Sequence, residues 1–186
     1  MKIVPMVPKK SIKASIVVFL LVFSCSFAQG QSKAKQQKIV EDSKNAKAAF
    51  LKEDPSMSRF FNTSTGYVIF PNVGKGGLGI GGAAGNGVVW HQGKMIGTAK
   101  LTQISIGFQA GGQAYREVIF FESPEELNRF KENKVEFSAQ VSAVAAASGA
   151  SADAKYVEGV AVFTMAKAGL MYEASVGGQK FKFKPF

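Results

Sequence analysis

Few side chains in this sequence are suited to catalysis. His91 is the one histidine and Cys25 the one cysteine among 186 residues, so a transition-metal site of the usual imidazole and thiolate kind has no material. A serine–histidine–acid relay would have to recruit His91, which stands beside Trp90 at an expected strand end with no marked nucleophile. Glu125 and Glu126 follow Ser123-Pro124, a pattern that places them in the first turn of a helix rather than in proton transfer. Gly74-Lys75-Gly76-Gly77-Leu78-Gly79 has the spacing of a dinucleotide loop, but no acid lies between Asp54 and Glu117 to meet a ribose, and ribbon rather than helix follows. The expectation is a binding protein, with no enzyme activity, cofactor or metal.

Lysine is the binding chemistry on offer. The chain carries 23 basic against 13 acidic residues. Lys33, Lys35, Lys38, Lys44, Lys47 and Lys52 crowd one polar stretch, residues 29–54, in which Ile39, Ser43, Ala46 and Phe50 recur at helical spacing. This predicts a basic, weakly amphipathic helix ended by Pro55. Such a helix either lies on an anionic membrane, where each lysine near the surface contributes about 1 kcal/mol, or packs its narrow apolar stripe on the domain and leaves its lysines in water.

Glycine supplies the second unusual pattern. Eleven of the 20 glycines fall between Gly66 and Gly97. Gly77, Gly79 and Gly81 alternate, so in a strand they bare one face, a costly choice that usually lets another backbone or a ligand come close. Lys75 projects from this ribbon and is a candidate headgroup contact.

The elements that position these residues read as mostly sheet. Met57 to Phe61 predicts a helical turn, and Gly66 to Phe70 a buried strand stopped by Pro71-Asn72. Ribbon then runs to Ala84, Ala84 to Gly87 turns, and Val88 to Gln92 is a strand. Gln103 to Ala110 alternates cleanly, and Val118 to Phe121 is apolar on both faces, as a central strand is. Ser123-Pro124-Glu125-Glu126 starts a short helix buried through Leu127 and Phe130. Alternation from Val135 to Ala143, a turn over Ser148 to Ala152, strands over Tyr156 to Thr164 and Leu170 to Val176, and a Gly177-Gly178 hairpin follow. The final stretch sets Phe181 and Phe183 on one face and Lys180, Lys182 and Lys184 on the other, where lysines guard a sheet edge. The fold class expected is α+β: a mostly antiparallel sheet or partial barrel of about eight strands, a flanking N-terminal helix and one short internal helix.

The first 28 residues read as a secretory leader, with Lys9, Lys10 and Lys13, an apolar run from Ile16 to Phe23, and Ser26-Phe27-Ala28 before Gln29. The expected product is periplasmic or secreted after cleavage between Ala28 and Gln29. A lipoprotein anchored at Cys25 is the alternative. Loss of four lysines and no acids lowers the basic count from 23 to 19 and leaves a net charge of +6. That favours an anionic partner, and export argues against nucleic acid. The domains expected are therefore 1–28 leader, 29–54 basic arm and 55–186 globular domain.

Two long motifs carry a family resemblance. Ile69-Phe70-Pro71-Asn72-Val73-Gly74-Lys75-Gly76-Gly77, with Gly79, Gly81 and Gly82, precedes Ser105-Ile106-Gly107-Phe108-Gln109-Ala110-Gly111-Gly112-Gln113. In this order, and with Glu117 to Phe121 and the Leu127 to Phe130 helix in place, they resemble the SYLF domain family. The likeness runs from about Phe60 to Gly178. It implies lipid binding, and in eukaryotic members phosphoinositide or actin binding. The chain departs from the family's pattern at Ser138 to Ser142 and at Ala166 to Met171. Two other readings compete: a structural or protein-interaction domain of the cell envelope, and a small outer-membrane β-barrel, against which the Ser123 helix and the single tryptophan weigh.

Overall fold

The computed structural model describes residues 33–78, 80–106, 111–137, 142–168 and 176–186. The chain divides into two compact units, Met1–Lys38 and Ile39–Phe186. Of the first, residues 33–38 are described, and they are helical with exposed side chains. The leader, and the strand expected over Leu170 to Val176 up to residue 175, lie outside the described residues.

In the second unit, helix α1 (39–53) ends at Asp54, and a 3-10 turn, Pro55–Met57, leads into α2, Ser58–Thr63. Among the described residues seven strands follow: β1 Gly66–Leu78, β2 Ile80–His91, β3 Lys94–Ile106, β4 Gly111–Phe121, β5 Ala143–Ala145, β6 Val160–Ala168 and β7 Gln179–Pro185. Helix α3, Pro124–Lys131, separates β4 from β5. They form one open sheet in the order β5-β6-β4-β1-β2-β3-β7, antiparallel except where β5 joins β6.

Seven strands stand among the described residues where about eight were expected for the whole chain, and two local stop signals are overridden. Pro71 lies inside β1, and the register shifts there against both neighbours. A bulge lets a residue with no amide hydrogen pass through an interior strand. Ala84 to Gly87 is continuous strand paired with Asn72 to Gly74 on one side and Ala99 to Thr102 on the other, except where the bulge interrupts. The Tyr156 strand begins later, at Val160, after a turn that puts Glu158 and Gly159 at positive φ. Ser123 caps α3 as its sequence predicts, accepting from the Glu125 amide at 3.2 Å and bonding the Glu126 carboxylate.

Pairing at the margins forces the sheet to curl. Glu136 bridges Lys180, and Phe137 exchanges backbone bonds with Gly178 and Gln179 at 2.8 and 3.2 Å, while Ala143 pairs with β6. In a flat sheet those two attachments would lie about 34 Å apart, yet the residues from Phe137 to Ala143 reach at most about 21 Å. A side-chain bond of 2.9 Å from Gln179 on β7 to Glu117 on β4, four strands away, crosses the concave side. A partial barrel is therefore the right description of the curl, although the sheet stays open.

Both faces are packed at one end. The concave core holds Val68, Phe70, Leu101, Ile119, Phe121 and Phe181, closed by Leu127 and Phe130 of α3. On the convex side, Ala46 and Phe50 of α1 and Phe60 and Phe61 of α2 cover Tyr67, Ile69, Phe120 and Phe163. The Phe60 and Phe61 rings meet Phe120 at 5.3 and 4.8 Å. The apolar stripe of α1 is thus spent on the sheet. Asp54 fixes the end of α1: its carboxylate accepts from the amides of Ser56, Gly149 and Ser151 at 3.1, 3.2 and 2.7 Å. Burial alone would raise this group, but the Ser56 and Ser151 hydrogen bonds outweigh it and hold the pKa down at about 2.

Candidate functional site

Beyond the bulge the strands continue but their convex cover does not. Val73 points into the concave core, so alternation sends Gly74 and Gly76 to the convex side. Register then defines rows across the sheet. One row is Ala114, Gly74, Ala84, Thr102 and Lys180; the next is Gly112, Gly76, Gly82 and Ile104. A methyl group built at Gly74 would meet nothing within 4 Å, and one at Gly112 only the Lys75 carbonyl at 4.0 Å. Ile104 stands beside this bare patch 81% exposed. A large aliphatic side chain left in water at the border of a smooth, side-chain-poor strand face is a surface suited to contact.

On its β7 side the same face turns basic. Lys182 lies directly opposite Lys100, Lys180 opposite Thr102 and Lys184 opposite Thr98. All four lysines are exposed, and Lys180 makes an exposed ion pair with Glu136 at 3.4 Å. The expectation for β7 was a guarded edge. Its edge is in fact occupied, by the Glu136 bridge, by the Phe137 amide bonding Gln179 and by Asn133, whose side chain accepts from the Phe183 amide at 2.6 Å.

The residues singled out from sequence fall in several places. Lys33, Lys35 and Lys38 are exposed on the described helix of the first unit, and Lys44 and Lys52 are exposed on α1 in the second. Lys47 is half-buried, donates to the Tyr67 hydroxyl at 3.1 Å and sits 4.5 Å over the Phe61 ring. Lys75 pairs with Gln113 and Ala83 on the concave side, away from Gly74 and Gly76. Gly77 and Gly81 pair with each other and face as Lys75 does, whereas Gly82 lies with Gly76 and Gly112. Gly111 pairs with Gly77. Gly79 and Gly107 lie outside the described residues.

Under the bare patch, the concave side is polar. Glu117, Gln179 and Gln103 are buried, Gln179 donates to Glu117, and Gln103 donates to the Gly177 carbonyl at 2.8 Å. Burial pushes the Glu117 carboxyl up to about 8, partly opposed by the Gln179 bond, so at neutral pH the acid is mostly protonated. Burial, and then the charge of Glu117, raises the neighbouring Tyr115 hydroxyl. Sequence reasoning missed this cluster, whose only local sign is an acid opening an otherwise apolar strand. His91 bonds the Thr65 carbonyl through Nδ1 at 2.8 Å, a structural tie. Among the described residues, no three or more histidine, cysteine or acidic side chains are placed to hold a metal ion, and no helix is long and apolar enough to cross a membrane.

The architecture is that of an α+β domain built on a curled antiparallel sheet, packed on both faces at one end and bare on its convex face at the other. Residues 102–184, less than half of the chain, match the family described as Ysc84, Las17-binding protein actin regulator, which is the SYLF domain family. It is also similar to Beta cell expansion factor A of Aeromonas veronii, 29% identical over 131 residues, covering 69% of this chain and 49% of that protein. The chain thus spans about half the length of that relative.

Proposed function

We propose that this chain is an exported, non-enzymatic protein that binds anionic lipid surfaces. The observation that carries this reading is the convex strand face, stripped of side chains at Gly74, Gly76 and Gly112 and bordered by the exposed Ile104. A flat, weakly apolar patch can rest against headgroups, and the chain's cationic excess supplies long-range attraction. The exposed lysines of 33–53 add to that attraction, while Ala46 and Phe50 are unavailable for insertion. The match of residues 102–184 to the SYLF family is consistent with a lipid or actin-regulatory partner, and the leader-like residues 1–28 support export.

Co-sedimentation with phosphatidylcholine vesicles, with and without phosphatidylserine, tests the reading. Binding should require the anionic lipid and should weaken as salt rises. Equal binding to both vesicle types, or no salt dependence, would contradict it.

A further inference from the structure

We propose that the lysine-bearing convex face of β3 and β7 is the surface that docks on an anionic bilayer, with Ile104 entering the interface. This rests on the lipid-binding reading above and names the face responsible. The basic stretch over 33–53 is the obvious alternative.

Three observations favour the strand face. First, Lys100 and Lys182 are directly opposed in an antiparallel pair, an arrangement that destabilises a sheet through like-charge repulsion. Among the described residues, Glu136 is the acid bonded to this group, and it pairs with Lys180 at the end of the row. An external anion would relieve the repulsion. Second, edge protection does not account for the lysines, since Glu136, Phe137 and Asn133 already cover that margin. Third, the row that ends in Lys180 runs through Gly74, and Ile104 follows Thr102 on the same face. Charge and exposed apolar surface are therefore coplanar, as a bilayer contact requires and as a point ligand would not. On α1 the two are opposed: Lys44 and Lys52 face water while Ala46 and Phe50 are buried and Lys47 is half-buried against Tyr67.

The test compares vesicle affinity, on phosphatidylcholine containing phosphatidylserine, for three proteins: the parent, a Lys180→Gln/Lys182→Gln/Lys184→Gln variant, and a Lys33→Gln/Lys35→Gln/Lys38→Gln/Lys44→Gln variant. The strand variant should bind at least about tenfold more weakly and the helix variant within about threefold of the parent. Lys100→Gln should melt at a higher temperature than the parent while binding more weakly, a combination that a purely structural lysine would not give. If the helix variant alone loses affinity, the face is wrong and the lipid function stands. If the parent ignores the vesicles, the function itself fails. Binding of soluble polyglutamate with the same lysine dependence, without vesicle binding, would assign the face to an acidic protein and overturn the proposal.

Discussion

The same strands serve two purposes along their length. From Gly66 to Pro71, β1 is buried on both faces between α3 and the helices of the N-terminal side. From Gly74 onward its convex face is exposed, although its pairing with β2 and β4 continues unbroken to Gly77. The boundary is the bulge at Pro71. Glycine changes meaning across it. In the packed region glycine is a steric necessity, because a methyl group on Gly87 would come within 2.6 Å of the Ile69 carbonyl and 2.7 Å of the Phe70 ring. In the bare region it leaves a face open at a cost in conformational entropy that no packing within the described residues returns.

That contrast can be broken at three strengths. Gly87→Ala should show the largest effect, a loss of about 3 kcal/mol or failure to fold, because the obstacle is partly backbone that cannot swing aside. Denaturant melts read it directly. Glu117→Gln should show a smaller effect that depends on pH. Glu117 holds its proton more tightly in the folded chain than at its ordinary value of 4.5, so the folded state binds more protons from there to about 8. The parent's stability contribution from this group is complete below pH 4.5 and is lost as pH rises through 8. The glutamine variant should lack that decline, and stability curves at pH 5, 7 and 9 would reveal it. Asp54, whose pKa is lowered to about 2, acts in the opposite sense, losing its contribution as pH falls through that value. Gly74→Ala should show the smallest effect of all, within about 0.5 kcal/mol of the parent or slightly stabilising, because nothing stands within 4 Å. A large loss there would mean that the face is covered.

Local chemistry made much of this legible. The Ser123 cap, the alternation of Phe181 and Phe183 with Lys180 to Lys184, and the two-sided burial of Val118 to Phe121 all follow from near neighbours in sequence. The glycine ribbon was readable as strand, but Gly77 and Gly81, expected to share the bared face of a single strand, pair with each other across β1 and β2 on the Lys75 side. Pro71 and the Ala84 to Gly87 turn signal hid the ribbon's continuity. A bulge and two flanking strands satisfy what the local signals deny. The pattern could not show that Lys75 faces inward, since the bulge resets which residues share a side. Glu117 and Gln179, 62 positions apart, meet only because the sheet curls. Asp54 finds Gly149 and Ser151 across a still longer separation, 95 and 97 positions. The opposition of Lys100 and Lys182 likewise depends on a long-range register. Long-range pairing is where periodicity carries no information.

The account depends on the bare convex face meeting lipid, and an Ile104→Trp variant addresses that most directly. Trp90, half-buried beside Tyr67, gives the parent's baseline fluorescence. On phosphatidylserine-containing vesicles with brominated acyl chains, the variant should be quenched well beyond the parent. Quenching equal to the parent's, with the variant fully bound to the vesicles, would show that this face looks away from the membrane.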